Sequence, residues 1–296
     1  MFQIVSDGSC DFSNEEVKQH NVDIVPFYIS FDHVNYLKEG VDISKEDYFK
    51  RLVSEKGLFP KTSQPNPQDY IDICAPHLED GEDIIILTIS SKLSGSHNSA
   101  TLAVDILKED YPDRKIVLLD SLNGSVSQGL ILREIIKMRD AGYTLNETAR
   151  LAGKVIKTTR VYFTLDSLEY LRRGGRVGPT TALVGGILGL RPILQLEDGQ
   201  VSQLDNVPGK KKALKLIEEA MIDALQDEAQ NISLSIGHIL SEEDALSFKA
   251  NTETALGVKI TNPITEVGAT IGTHAGPGAL AFAYCRKYDA FKEGGA

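Results

Sequence analysis

The sequence predicts an α/β protein with an N-terminal, mostly parallel, helix-covered sheet and a C-terminal α+β domain that contains antiparallel strands. Over the first 165 residues, short β-rich runs alternate with amphipathic helical patterns. Within them, Asp83–Ile89 is an almost continuous apolar run, typical of a strand buried on both faces of a parallel sheet. After Thr164 the pattern changes to a glycine-rich break and then a hairpin, which predicts a second domain.

Helix start signals support the element assignment in the N-terminal half. Ser44 is followed by Glu46, and Asn66 is followed by Pro67. A polar side chain at such a position can accept hydrogen bonds from free amides, and proline suits the first helical residue. The predicted strands are Phe2–Ser6, Val22–Phe31, Asp83–Ile89 and Lys115–Asp120, and the predicted helices are Ser44–Glu55, Pro67–Leu78, Ser94–Glu109, Ser127–Ala141 and Leu145–Lys157.

The C-terminal half is predicted to begin near residue 165, which divides the chain into residues 1–165 and 166–290. Its first feature is the glycine-rich segment Leu171–Pro179, and Asp198-Gly199 is the turn signal of a hairpin that starts at Arg191. Further strands are expected as far as Gly272. The other predicted elements are the helices Thr180–Leu188, Lys210–Asp227 and Glu242–Leu256 and the strand Ile232–Leu240.

Composition and charge exclude several classes of protein. The formal net charge of −11 argues against nucleic-acid binding, which needs a dense basic face. The three cysteines are far apart and no His/Cys ligand spacing occurs, so neither a metal site nor a disulfide framework is predicted. The N-terminus lacks the pattern of a signal peptide, and Ala182–Leu190, the longest apolar stretch, is too short to span a bilayer. We therefore expect a cytoplasmic protein.

Common catalytic motifs are missing from the sequence. No stretch fits a P-loop, and the first strand is followed by Asp7-Gly8-Ser9 instead of a dinucleotide fingerprint. The segment Gly124–Gln128 lacks the final glycine of a nucleophile elbow. Asp7 and Asp11 could suggest a metal site, but a turn and a helix cap are the simpler interpretation. The sequence therefore predicts no catalytic residue and no cofactor.

Two hydroxyl-rich loops are candidates for ligand binding. One contains Thr62 and Ser63, and the other contains Ser94, Gly95 and Ser96 between a buried strand and a helix. Ligands of open α/β sheets bind beyond the carboxyl ends of the strands, where helix N-termini offer free amides to an anion. The hydroxyl groups would complete an uncharged site for a carboxylate or phosphate. In each loop alone, helix capping and turn formation explain the same residues.

A third candidate is the segment Thr270–Gly278, which reads as a glycine-rich turn near the end of the chain. It contains His274, which could contact a ligand or have a purely structural role. Two apolar segments could line an apolar pocket or tunnel. These are Thr181–Leu190 and Leu130–Ile136, although ordinary core packing explains any single residue in them.

Taken together, these segments resemble the DegV family of bacterial fatty-acid-binding proteins over about residues 2–288. Each motif alone is weak, but their order along one chain is specific. The matching motifs are Asp7-Gly8-Ser9, Thr62-Ser63-Gln64-Pro65, Ser91-Lys92-Leu93-Ser94-Gly95-Ser96, Leu171-Arg172-Arg173-Gly174-Gly175-Arg176 and Gly272-Thr273-His274-Ala275-Gly276-Pro277-Gly278.

The resemblance implies a two-domain, non-catalytic protein that binds a long-chain fatty acid in a tunnel between its halves. It implies that Thr62 and Ser94 hold the carboxylate, with His274 nearby. It also implies a separate kinase subunit that converts the presented acid to an acyl-phosphate. We predict that Arg172, Arg173 and Arg176 form an exposed loop that contacts this partner, although helix capping or an inter-domain hinge would also explain them.

Two other functions stay open. A serine-dependent lipid hydrolase or acyltransferase would use Ser94 as its nucleophile and His274 as its base, and it would need a third residue such as Glu266 to orient the histidine. A sensor of a small carboxylate or phosphate would need only a shallow pocket.

Overall fold

A computed structural model of the chain describes residues 2–55, 57–177 and 190–291. Its strands are β1 (Phe2–Asp7), β2 (Val22–Val25), β3 (Tyr28–Ser30), β4 (Leu37–Lys38), β5 (Lys61–Ser63), β6 (Asp83–Thr88), β7 (Ile116–Asp120), β8 (Arg160–Thr164), β9 (Leu190–Glu197), β10 (Gln200–Pro208), β11 (Ile232–His238), β12 (Ile264–Glu266) and β13 (Leu280–Arg286). Its α-helices are α1 (Asn14–His20), α2 (Lys45–Ser54), α3 (Pro67–Glu79), α4 (Ser96–Asp110), α5 (Val126–Asp140), α6 (Leu145–Thr158), α7 (Glu169–Gly174), α8 (Lys210–Leu225), α9 (Glu242–Leu256) and α10 (Ala269–Ala275).

The N-terminal sheet is parallel and covered by helices on both faces, as predicted. Its strand order is β2–β1–β6–β7. On β6, Ile84 and Ile86 pack against α3 and α4, whereas Ile85 and Leu87 lie in the core formed with α5 and α6. Because successive side chains of a strand point to opposite faces, both sets must be apolar. This explains the continuous apolar run in the sequence.

A second sheet has six strands in the order β10–β9–β8–β13–β11–β12. It is antiparallel except for the parallel pair β11–β12, and the predicted hairpin turn is present, with positive φ angles at Asp198 and Gly199. One face packs on α8 and α9, while the other face joins the core that contains α5 and α6. The predicted combination of a parallel sheet with a mostly antiparallel one is therefore confirmed.

One strand prediction was too long. The segment Val22–Phe31 is two strands that belong to different sheets, because β2 ends before Pro26 and β3 joins a small antiparallel sheet of order β4–β3–β5. Proline has no amide to donate to a strand partner, so the chain leaves the first sheet there. The start signals at Ser44 and Asn66 are confirmed, since both side chains accept a hydrogen bond from a backbone amide of their helix.

The segment Thr270–Gly278 was predicted to be a glycine-rich turn, but its first six residues belong to helix α10. Gly268 precedes this helix, and Gly276, with φ of 74°, ends it. The predicted helix Thr180–Leu188 lies outside the described residues.

The boundary near residue 165 stays a prediction. Strand β8 lies before residue 165 in the sequence, but it pairs with β9 and β13 of the second sheet. This pairing favours a boundary a few residues earlier. Helix α10 belongs to the C-terminal half, but it contacts Tyr48 of the N-terminal half, whose hydroxyl lies 2.9 Å from Thr273 Oγ1.

Candidate functional site

The two halves of the chain enclose a cavity of about 130 Å³ with mostly apolar walls. On β8, Val161 and Phe163 line it, whereas Tyr162 between them packs with the core on the opposite face of the sheet. The alternation of a β-strand therefore decides which side chains reach the cavity. The other apolar lining residues are Phe27, Ile89, Leu93, Leu165, Leu171, Leu196, Val201, Ile239, Val267, Ile271, Ala275, Ala279, Leu280 and Ala281.

The predicted residues Thr62, Ser94 and His274 all line this cavity. Thr62 lies on β5, Ser94 in the loop between β6 and α4, and His274 on the last turn of α10. Thr62 Oγ1 and His274 Nε2 are 2.8 Å apart. Segments that are more than 200 residues apart in sequence thus bring a hydroxyl group and an imidazole into direct contact.

The environment of His274 determines its charge and its tautomer. Burial, together with the nearby guanidinium group of Arg176, lowers the pKa of His274 to about 4, so the imidazole is neutral at neutral pH. Its Nδ1 atom is buried and has no hydrogen-bond partner among the residues that the structure describes. A proton on Nδ1 would be an unpaired buried donor close to a cation, which is costly. We therefore assign the proton to Nε2, which donates it to Thr62 Oγ1.

Ser94 has a similar arrangement. Its Oγ accepts a hydrogen bond of 3.2 Å from the backbone amide of Ser96, the first residue of α4. A hydroxyl group that accepts one bond can still donate its own proton. Thr62 and Ser94 therefore both have a fixed internal donor and an available hydroxyl proton at the cavity.

The structure corrects three other site predictions, because Ser63, Gly95 and Ser96 do not line the cavity. Ser63 is exposed to solvent. Gly95 lies beneath the amide of Gln64, which would be 2.5 Å from a β-carbon at that position. Ser96 is fully buried, and Gln64, which was not predicted as a site residue, lines the cavity instead.

Asp7 explains the burial of Ser96 and was underestimated in the sequence. Its carboxylate accepts hydrogen bonds from the side chains of Ser9, Ser96 and Gln128 and from the backbone amide of Ile89, at 2.5–2.9 Å. These partners join β1 to the start of α4 and to α5. Asp7 therefore fixes the loop that carries Ser94. Its sequence signals were its place at the end of a strand and the motif Asp7-Gly8-Ser9, and neither indicated this role.

Arg176 also needs a correction, because it is half-buried and lines the cavity. Its Nε donates to the carbonyl of Leu93 at 3.2 Å, and a terminal nitrogen donates to the carbonyl of Gly174 at 2.5 Å. Burial lowers the pKa of its guanidinium group. The prediction of an exposed loop is therefore wrong at this residue.

Arg172 and Arg173 are exposed, but they belong to a helix instead of a loop. Helix α7 ends at Gly174, and Gly175 caps it in the left-handed conformation. The guanidinium group of Arg173 lies 3.8 Å from the ring centroid of Phe59 and forms an ion pair with Glu169. The capping alternative is thus confirmed, and a partner contact by the two arginines stays a prediction.

The geometry does not support a Ser–His–acid triad. No hydrogen bond joins Ser94 to His274, and no carboxylate within residues 2–55, 57–177 and 190–291 pairs with Nδ1 of His274. Glu266 instead forms an ion pair of 3.0 Å with Lys45. Residues 181–189 of the predicted tunnel wall lie outside the described residues, and the segment Leu130–Ile136 is ordinary core that does not line the cavity.

Within residues 2–55, 57–177 and 190–291, no cluster of three or more His, Cys, Asp or Glu side chains could hold a metal ion. In the same part of the chain, no helix is both long enough and apolar enough to cross a bilayer.

Comparison with known proteins gives a consistent result. The family described as "Uncharacterised protein, DegV family COG1307" matches residues 1–287. A DegV domain-containing protein of Caldanaerobacter subterraneus subsp. tengcongensis is 31% identical over 277 residues, which cover 93% of this chain and 95% of the relative.

Solved structures agree over almost the whole chain. A stearic-acid-binding protein from Eubacterium ventriosum superimposes with a TM-score of 0.93 at 31% identity, covering 98% of this chain and 100% of the other. A DegV family protein from Thermus thermophilus, described by its fatty acid binding, gives a TM-score of 0.86 at 27% identity, with coverages of 96% and 99%.

Proposed function

This chain belongs to the DegV family, and we propose that it binds a long-chain fatty acid in the cavity between its two halves. We further propose that Thr62 and Ser94 hold the carboxylate and that the bound acid is presented to a separate kinase. The observation that carries the proposal is the pair of oriented hydroxyl groups in an otherwise mostly apolar cavity.

Most of the affinity would come from the acyl tail. Burial of one methylene group contributes about 0.8 kcal/mol, so ~14 methylenes could contribute ~11 kcal/mol before the costs of association are subtracted. Small-molecule pockets usually measure about 300–1,000 Å³. This cavity measures about 130 Å³, and we propose that its walls move apart when a long chain enters.

The head group would be oriented by donated hydrogen bonds. His274 donates to Thr62 and the Ser96 amide donates to Ser94, so both hydroxyl protons can point to a carboxylate. Hydrogen bonds to a charged group contribute about 1.5–3 kcal/mol each. Gly95 and Ser96 would support this site from behind, and Arg176 would add a positive charge beside it.

Presentation to the kinase would leave the chemistry to the partner. This chain would supply the carboxylate as nucleophile, and hydroxyl groups would hold it less tightly than a paired arginine would. The exposed Arg172 and Arg173 would contact the partner, and both proteins would be cytoplasmic.

Lipid retention by the purified protein tests the proposed function. We expect native mass spectrometry to detect bound fatty acid on the wild-type protein. The double variant Thr62→Ala/Ser94→Ala loses two hydrogen bonds to the carboxylate, about 3–6 kcal/mol together, and should retain little or none. Ser63→Ala is the matched control, because this neighbouring hydroxyl is exposed and outside the cavity. Normal retention by the double variant would show that the head group binds elsewhere.

A further inference from the structure

Helix α10, which carries His274, is held at its N-terminal end by carboxylates from the N-terminal half of the chain. Glu39 accepts hydrogen bonds from the amides of Ala269 and Thr270, at 2.5 and 3.0 Å. Asp11 is the second carboxylate at this end of the helix. Thr270, Ile271, His274 and Ala275 of this helix line the cavity, so the helix is one of its walls.

Asp11 joins this wall to a second one. One carboxylate oxygen accepts from the amide of Gly268 at 2.9 Å, and the other accepts from the hydroxyl of Ser125 at 2.5 Å. Ser125 immediately precedes α5 and lines the cavity. Asp11 is almost fully buried, so any movement between the two walls must break one of these bonds or expose the carboxylate.

The two carboxylates lie against the same backbone position. A β-carbon added at Gly268 would be 2.7 Å from an oxygen of Glu39 and 2.9 Å from an oxygen of Asp11. Asp11 is buried and Glu39 is partly buried, and two carboxylates this close resist simultaneous ionisation, so the charge of Glu39 helps to raise the pKa of Asp11. Lys45 is the cation that acts on both.

Burial is the main cause that raises the pKa of Asp11, to about 7, and it also raises the pKa of Glu39. The pair is therefore protonated over part of the neutral range. Several other titratable groups face the pair or its neighbours. They are Asp7 and Cys10 next to Asp11, Tyr48 next to Glu39, Glu266 and His238 next to Lys45, and His274 at the far end of α10.

We propose that the seating of α10 is coupled to a proton shared by Asp11 and Glu39, so that the protein holds its ligand more tightly in mildly acidic than in alkaline solution. The inference rests on the proposed function, because it describes how the same cavity is opened and closed. Its basis is the bridge that Asp11 makes between α10 and Ser125, with Glu39 beside it on the amides of α10, at a cavity whose walls we propose to move apart when a long tail enters.

The direction of the effect follows from proton linkage. When α10 is seated, Asp11 takes up its proton at about pH 7, whereas the same carboxyl group exposed to water would do so near 3.8. The seated state therefore binds the proton more tightly and gains stability as the pH falls from about 7 towards 4. Above pH 7 neither state carries the proton, and this contribution to closure is lost.

The rate of ligand release tests the inference. Protein loaded with radiolabelled stearic acid is chased with excess unlabelled stearic acid, and loss of label is followed at pH 5.5 and at pH 8.5. The raised pKa of Asp11 favours the seated helix by about thirtyfold at pH 5.5 relative to pH 8.5, whereas the lowered pKa of His274 on the same helix opposes this by about tenfold. We therefore expect release to be about threefold faster at pH 8.5.

Two variants isolate the pair. Asp11→Asn keeps an acceptor for Gly268 and suits the positive φ of 56° at this position, and Glu39→Gln is the independent second variant. In each, the ratio of the two release rates should fall below about twofold, because the titrating site is removed. Glu147→Gln is the matched control, because Glu147 caps the unrelated helix α6 and should leave the wild-type ratio unchanged.

The outcomes separate the inference from the proposed function. Equal wild-type rates at the two pH values would overturn the inference, and so would a wild-type ratio in both Asp11→Asn and Glu39→Gln. Failure of the wild-type protein to load stearic acid would instead contradict the proposed function. In that case, amide hydrogen exchange at Ala269 and Thr270 still tests the proton linkage, because their protection should be lower at pH 8.5 after correction for the intrinsic rate.

Discussion

The polar end and the apolar remainder of the cavity are built in opposite ways. At the polar end, the hydroxyl groups of Thr62 and Ser94 each accept a hydrogen bond from one fixed donor. A displacement of either donor would change the direction in which the hydroxyl proton points to a ligand. The apolar remainder is formed by many side chains from four strands, two helices and several loops, and an apolar tail would need no specific partner among them. This difference suggests that the tail provides affinity, while the polar end provides orientation.

Among single substitutions, the largest expected effect comes from filling the apolar part. Ala281 lines the cavity on β13, and Ala281→Phe would occupy space that the acyl tail needs. If about five methylenes lose their contacts, binding weakens by ~4 kcal/mol, roughly a thousandfold. Displacement of a fluorescent fatty acid by stearic acid measures this change.

Leu102→Phe is the control for Ala281→Phe. It also adds bulk to an apolar side chain, but Leu102 is exposed on α4 and does not line the cavity. Its affinity should match that of the wild-type protein. Unchanged affinity in Ala281→Phe would mean that the tail does not occupy this part of the cavity.

An intermediate effect is expected at the polar end. His274→Ala removes the donor that orients the Thr62 hydroxyl, and we expect affinity to fall by about 1–3 kcal/mol, with some lipid still retained. His274→Gln could restore a donor to Thr62 and should recover part of the loss. A loss in His274→Ala as large as that in Ala281→Phe would contradict the division between orientation and affinity.

The pH dependence of stability gives a separate test of the same histidine. Its pKa is about 4 in the folded protein, against an ordinary value of 6.5, so the unfolded chain takes up the proton first. The free energy of unfolding should therefore fall as the pH decreases from 6.5 towards 4, and this contribution should be absent in His274→Gln. Urea titrations at several pH values measure it.

The smallest effect is expected outside the cavity. Arg173→Ala removes an exposed charge, and stearic acid affinity should stay unchanged, whereas acyl-phosphate formation with limiting kinase should fall about twofold to tenfold in a salt-dependent way. Lys215→Ala is the matched control, because Lys215 is an exposed cation that also pairs with a glutamate four residues away. Weaker fatty acid binding by Arg173→Ala would instead assign this arginine to the cavity.

The parallel sheet could be predicted because its signals are local. The continuous apolar run of β6 and the capping residues Ser44 and Asn66 each depend on neighbours within a few positions. The same holds for the hairpin turn at Asp198-Gly199, which needs positive φ angles at both residues.

Helix α10 could not be predicted in the same way. It is short and rich in glycine, and its stability depends on distant partners: Glu39 at its amides and Tyr48 at Thr273. Gly272 is needed because a β-carbon there would be 2.7 Å from the ring of Phe49. Such contacts join residues that lie more than 200 positions apart, so no sequence window contains both partners.

The sequence by itself determined the two kinds of sheet, the order of most elements, the family resemblance, and Thr62, Ser94 and His274 as candidate residues, because propensity, periodicity and motif spacing are properties of neighbouring residues. Only the tertiary structure decided that the Thr62 hydroxyl meets the imidazole of His274, that Arg176 lies at the cavity, and that Ser96 supports Asp7. The physical reason is that burial and hydrogen-bond partners depend on contacts between distant segments, and these exist only after the chain has folded.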